Sequence, residues 1–203
     1  MLYHLLTPMA DQVQVFNLFR YITFRTAWGM VTALAICYLL YPAFIRWMKT
    51  KKMEQIIRDF GPEHAAKVGT PTMGGVPMII AIAGSTLLWA RLDQPVVWMA
   101  LIVFVGYGII GFVDDWKKVI QRSSDGLAGR WKMVGQFGIA GGVLAWGYVS
   151  GVLEPDLAIP FLKDATIHFD ELLPGAAWLG WLYVVFGMFV CNGSSNAVNL
   201  TDG

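Results

Sequence analysis

The chain has 203 residues, 56% of them hydrophobic and only 14% charged, with a formal net charge of +1. Its mean hydropathy is +0.54. Soluble domains carry about 25% charged residues, so this composition excludes a domain surrounded by water. The near-neutral balance argues against a nucleic acid or a bulk acidic partner, and leaves charge to act through its placement.

The first 20 residues include Asp11 and have no compact apolar core behind a basic start. No cleavable signal is therefore expected, and the N-terminus stays attached. Leu5, Leu6, Val13, Val15, Phe16 and Phe19 give an amphiphilic pattern that suits a short helix in a membrane interface, with a frayed arm as the competing reading.

Five segments then meet the length test for membrane helices. Residues 26–45 carry no charge and are followed by Arg46, Lys49, Lys51 and Lys52. Residues 73–90 are closed by Arg91 and Asp93, and residues 95–113 by Asp114 and Asp115. Residues 133–153 include Gly135, Gly138, Gly141, Gly142 and Gly147, small residues that let helices approach closely. The fifth segment, 174–191, turns polar after Cys191. Trp89, Trp98, Trp131, Trp178 and Trp181 cluster near the predicted ends, as an aromatic belt would. The expected fold is all-α, a polytopic membrane helical bundle of about five transmembrane helices, forming one integral membrane domain over residues 1–203. Cys37 and Cys191 lie in apolar stretches without metal-ligand spacing and are expected to be buried small hydrophobes, not a disulfide.

Orientation follows from Lys and Arg. Residues 46–72 hold six, residues 114–132 hold five, and the remaining four are Arg20, Arg25, Arg91 and Lys163. Eleven against four puts the first and third connections in the cytoplasm, with the N-terminus, the turn at 91–94 and the acidic loop 154–173 outside.

Three polar clusters then share the cytoplasmic side. The first, Lys67-Val-Gly-Thr-Pro-Thr72-Met-Gly-Gly75, leads into a helix whose exposed amides and nearby lysine suit a phosphate. An ordinary helix start with Thr72 as N-cap is the plainer alternative. The second is the Asp114–Asp115 pair with Lys117 and Lys118 beyond it. Adjacent carboxylates at the end of an uncharged helix of roughly 28 Å suit magnesium or general-base work on a phosphate substrate, against a solvated helix end. The lysines suit phosphates or lipid head groups. In the third cluster, Asn196, Asn199 and Asp202 are three apart and share one helix face. They suit a metal, a phosphate or sugar hydroxyls, or else hydrogen bonding between helices. Asp125-Gly-Leu-Ala-Gly-Arg130 approximates the Asp-Gly-x-x-Ala-Arg start of lipid-head-group phosphotransferases, but its Ala-Arg spacing differs and that motif's later aspartates are absent. It is read as a turn.

Together, Gly-Thr-Pro-Thr-Met-Gly-Gly, Gly-Tyr-Gly-Ile-Ile-Gly-Phe-Val-Asp-Asp and Asn-Ala-Val-Asn-Leu-Thr-Asp-Gly resemble the bacterial phospho-N-acetylmuramoyl-pentapeptide transferases, the MraY family. The likeness extends across essentially the whole chain. It implies a multi-pass enzyme of the bacterial inner membrane with about ten spans when complete. Such an enzyme transfers phospho-MurNAc-pentapeptide from its UDP-linked donor to undecaprenyl phosphate, releasing UMP, with Mg²⁺. By motif, Asp114 and Asp115 match the catalytic pair and are the metal ligands expected. Lys67, Thr72, Lys132, Asn199 and Asp202 match positions around the nucleotide and phosphate cleft. The family continues Asp-Gly-Leu-Asp-Gly and then supplies a further metal-binding aspartate and a histidine-rich loop, which these 203 residues lack. The chain therefore reads as the N-terminal part of a longer protein and is expected to be inactive alone. Membrane lipids are expected partners and nucleic acid is not; a homodimer is one open option for assembly. The related N-acetylglucosamine-1-phosphate transferases share the Asp pair but usually lack the Thr-Pro-Thr-Met lead-in. A transporter, the alternative from another class, would carry charges near the midplane of several spans.

Overall fold

The computed structural model describes residues 1–51, 73–121, 126–159, 161–162, 165–170, 172 and 177–202, with the side chains of residues 177 and 199–202 outside the description. The chain divides into two compact units, Met1–Ala128 and Gly129–Gly203. As the apolar segments predict, the protein is a helical membrane bundle.

The first unit opens with α1 (Leu2–Leu6) and two 3₁₀ segments, Thr7–Met9 and Gln14–Arg20. The amphiphilic N-terminus is thus a chain of short turns rather than one helix, with Pro8 in the first turn of the 3₁₀ segment that ends α1. Helix α2 (Ile22–Thr50) runs for 29 residues and keeps its course through Pro42. It packs against α3 (Gly75–Trp89), and α3 against α4 (Pro95–Gln121). Both α2 and α4 are long and apolar enough to cross a membrane, whereas α3 is apolar but has 15 residues. At 27 residues α4 continues past Val113, so the charges from Asp114 to Lys118 ride on two further helical turns. Their first carboxylate is therefore placed by the same rigid rod that crosses the apolar region.

Little of this unit is buried. Met48, Ala81 and Pro77 are at its centre, while Leu34, Tyr38 and Leu39 on α2 are each more than two-thirds exposed. Apolar surface on that scale suits lipid or further helices, not water. In such surroundings burial of apolar area gives little drive for helices to associate, and polar contacts and close packing take over. The Ser85 hydroxyl donates to the Gly29 carbonyl at 2.5 Å, and the Tyr41 hydroxyl donates to the Gly74 carbonyl at 2.8 Å. Gly74 is the N-cap of α3, two residues after the Thr72 that the sequence suggests for that role.

Trp89 closes the far end of α3. Its indole N–H donates to Thr32 Oγ1 at 2.9 Å, and its ring stacks on Phe19 at 5.6 Å and Trp28 at 6.2 Å. Phe19 is one of the residues through which the N-terminal segment docks, and the Met1 ammonium donates to the Leu87 and Leu88 carbonyls at 2.8 and 3.1 Å. In the following turn, Arg91 hydrogen-bonds both oxygens of Asp93 at 2.6 and 3.3 Å, and His4 lies 3.4 Å from the same carboxylate.

The second unit pairs α5 (Gly129–Val149) with α6 (Gly180–Asp202) in antiparallel fashion. A Cβ on Gly187 would lie 2.9 Å from Leu144, and one on Gly141 2.9 Å from Met188, so these two glycines permit the close approach. Gly138 and Gly142, expected to act alike, face open space. Between the helices, the acidic loop carries an unexpected hairpin, β1 (Asp156–Ala158) with β2 (Thr166–His168). In it His168 Nδ1 lies 2.8 Å from Asp156 Oδ1. Cys37 and Cys191 are free, as expected, but only partly buried.

Two stability predictions follow from the α3 end. Trp89→Ala, which removes both the ring stack and the hydrogen bond, should cost roughly 3 kcal/mol, whereas Trp89→Phe should cost about 1 kcal/mol. Thermal unfolding in detergent reads the difference. The Arg91 guanidinium holds the Asp93 carboxyl well below the usual carboxylate range. A lowered folded pKa means that the contribution is present above the ordinary value of about 3.9 and is lost only as pH falls through the folded value. Asp93→Asn should therefore reduce hydrogen-exchange protection of residues 1–20 at pH 5 as well as at pH 7.

Candidate active site

The only charges on α4 lie in the run Asp114-Asp115-Trp116-Lys117-Lys118 near its C-terminal end. Helical spacing decides what they do to one another. Lys118 is four residues after Asp114 and three after Asp115, so its ammonium reaches both carboxylates. Lys118 Nζ is 2.8 Å from Asp114 Oδ2 and 3.1 Å from Asp115 Oδ1. Burial draws the Lys118 pKa down, but its hydrogen bonds to the two carboxylates prevail and raise it above the ordinary value. The lysine is thus a standing cation between two anions that would otherwise repel.

The two aspartates differ. The Asp114 side chain is 13% exposed, whereas the Asp115 side chain is 36% exposed. Asp114 Oδ1 also accepts the backbone N–H of Leu127 at 2.7 Å. That amide arrives on the loop after α4, and glycine at 126 lets it in. A Cβ on Gly126 would collide with the Asp114 carboxylate and lie 2.7 Å from Lys118 Cε. Asp114 is therefore anchored from two sides, and Asp115 is the half-open member of the pair. Among the described residues, no group of three or more His, Cys, Asp or Glu side chains gathers around a common point.

Lys132 lies in the second unit, in the first turns of α5, and is half-buried. One turn further on, Gln136 Oε1 accepts from Asn196 Nδ2 at 2.9 Å, and the same amide donates to the Asn192 carbonyl at 2.8 Å. The Asn196 amide is thus engaged in hydrogen bonding between helices. The antiparallel packing puts Lys132, near the start of α5, at the same end of that pair as Asn199 and Asp202, near the end of α6. Lys67 and Thr72 lie outside the described residues.

Gly126 and Leu127 were not anticipated as site residues. A backbone N–H donor carries no side-chain signature, so the Asp125–Arg130 stretch reads only as a turn. The Lys118 contacts do have a sequence signal, since i+3 and i+4 are helix neighbours.

The sequence has close counterparts among curated proteins. One from Syntrophus aciditrophicus (strain SB), named phospho-N-acetylmuramoyl-pentapeptide-transferase, is 48% identical over 204 residues, covering 100% of this chain and 54% of its own length. Proteins of the same name from Pelobacter propionicus and Nitratidesulfovibrio vulgaris are 46% and 43% identical, with the same coverage of 100% and 54%. This chain spans about half the length of the curated relatives it matches. Residues 97–203, which include the aspartate pair and the whole second unit, match the family model described as Glycosyl transferase family 4. With more than half of its length matched, the chain belongs to Glycosyl transferase family 4.

Proposed function

We propose that the complete protein transfers phospho-MurNAc-pentapeptide from its UDP-linked donor to undecaprenyl phosphate, with Asp114 and Asp115 in the reaction centre. The observation that carries this reading is a carboxylate pair on the extension of an apolar helix, held by Lys118 and the Leu127 amide. The identity of 43–48% to transferases of that name, across the full chain, supports the choice of substrates.

The acceptor is a lipid whose phosphate sits at the membrane interface, and the donor is a soluble, multiply charged nucleotide. A site for both belongs at a helix end, where α4 leaves its apolar stretch. An oxygen of the lipid phosphate attacks the donor's β-phosphorus. A new P–O bond forms, the bond from that phosphorus to the bridging oxygen breaks, and UMP leaves with the bonding pair. Asp115, half-exposed, takes the proton from the acceptor phosphate when it arrives protonated, while Asp114 stays fixed as its neighbour. The direct route is favoured because an adjacent pair serves readily as ligand and base. A covalent phospho-sugar trapped on either aspartate would establish the two-step route instead.

The pair suits Mg²⁺, which keeps several waters and uses one or two carboxylates beside substrate phosphates. Asp114 and Asp115 would hold it, and its charge would offset that of the pyrophosphate. Lys67, Thr72, Lys132, Asn199 and Asp202 are proposed as donor contacts on the motif resemblance alone. The distribution of Lys and Arg, eleven in residues 46–72 and 114–132 against four elsewhere, supports an inner-membrane protein with this site facing the cytoplasm.

The test is UMP release by the full-length protein in detergent with undecaprenyl phosphate. Release should need Mg²⁺, be abolished by EDTA, and occur with the muramoyl-pentapeptide donor and not with UDP-N-acetylglucosamine. Residues 1–203 alone should release none. A folded full-length protein inert to the muramoyl donor would end this reading. Gly126→Ala should lower turnover on the order of tenfold while leaving the thermal transition within a few degrees, because it pushes the Leu127 amide off Asp114 without removing a carboxylate. Paired turnover and thermal-shift measurements check it.

A further inference from the structure

At the other end of α4 from the aspartates lies a crevice of ≈ 490 Å³ between α2, α3 and the start of α4. The separation is large: from Val97, on its rim, to Asp114 the helix rises roughly 26 Å. Its lining changes character along the helices. Arg25, Arg91 and Gln94 stand at the mouth, by the helix ends. Met30, Ala33 and Ile82 line it further along the helices, Ala33 roughly 12 Å along α2 from Arg25, and with Met30 and Ile82 well exposed this part is an open apolar groove.

The two arginines are in different states. Arg91 is neutralised by Asp93 at 2.6 Å. Arg25 is only 9% exposed, and its Nε–H is buried without a hydrogen-bond partner. Both guanidiniums approach the Tyr3 ring, Arg25 at 5.0 Å and Arg91 at 4.9 Å from its centroid, so its π face holds Arg25 in place. A π face attracts the cation but leaves an in-plane N–H donor unanswered. A buried guanidinium so placed calls for an anion with acceptor oxygens. Residues 1–33 and 82–97 supply three arginines, Arg20, Arg25 and Arg91, against two acids, Asp11 and Asp93. Local charge therefore favours an anion too.

We propose that this crevice is a binding site for an anionic phospholipid, with its phosphate on Arg25 and an acyl chain along Met30, Ala33 and Ile82. The mouth lies at the level where a bilayer's head groups meet its hydrocarbon, since α2 and α4 both begin their apolar stretches there. A free phosphate would use the mouth and leave the apolar groove idle. A neutral lipid would fill the groove and leave Arg25 uncompensated. The site is separate from the transferase centre, and its failure would leave that reading standing.

The test uses delipidated full-length protein in detergent and native mass spectrometry, with phosphatidylglycerol and phosphatidylcholine of identical acyl chains. One phosphatidylglycerol per chain should be retained about tenfold more tightly than phosphatidylcholine, the scale of one charge-assisted contact. Arg25→Gln should erase that preference, and Arg25→Lys should keep part of it. Ile82→Trp, which leaves Arg25 in place and fills the crevice, should lower retention of both lipids, and it decides the matter if Arg25→Gln fails to fold. Equal retention of the two lipids overturns the proposal, as does retention untouched by Ile82→Trp in a monodisperse sample. Inorganic phosphate raising thermal stability as much as phosphatidylglycerol does would identify a free-anion site and overturn it as well.

Discussion

Two carboxylates on successive residues at the end of an apolar helix repel each other, and this repulsion sets the terms for the rest of the first unit. Lys118 answers it through helix geometry, lying one turn beyond both and within 2.8 and 3.1 Å of them. The answer requires α4 to remain helical after its apolar residues run out, and it does so as far as Gln121. It also requires the chain to turn back, because the second oxygen of Asp114 is satisfied by the Leu127 amide at 2.7 Å. Glycine at 126 is the residue that allows this return. The outcome is one carboxylate fixed on two sides and one left accessible, an asymmetry that suits a ligand and a base working together.

Each unit is held together with few buried apolar groups. Hydrogen bonds between helices recur where the helices meet: Ser85 to Gly29 and Trp89 to Thr32 in the first unit, Asn196 to Gln136 in the second. Small residues bring backbones together at Gly141 and Gly187. Both devices belong to a medium in which apolar burial gives little drive for association, so contact quality decides packing. Large exposed apolar side chains on α2 suit the same medium, lipid or further helices.

The main outlines were legible from residues alone. An uncharged stretch from Pro95 to Val113 followed by Asp-Asp marks a membrane helix and the point where its charges begin. The places where reading fell short share a cause: each depends on backbone geometry or on a neighbour distant in sequence. The Leu127 amide has no residue signature. The β1–β2 hairpin is three residues per strand, too short for an alternating pattern to register within an acidic loop. The N-terminal segment looked like an interfacial helix because its apolar spacing was visible, whereas its docking through Phe19 onto Trp89 was not. Lys118 was visible at the right spacing, but a lysine beside a membrane also suits phosphates and head groups, so spacing alone left its partner undecided.

The account rests on Asp115 being the accessible, working carboxylate of the clamped pair, and UMP release by full-length protein carrying Asp115→Asn addresses that most directly. The amide keeps size and hydrogen-bonding reach while removing the charge and the proton acceptor. Turnover should fall on the order of a thousandfold in a sample that stays monodisperse with a wild-type thermal transition. Turnover within a fewfold of wild type in that folded variant would contradict the account.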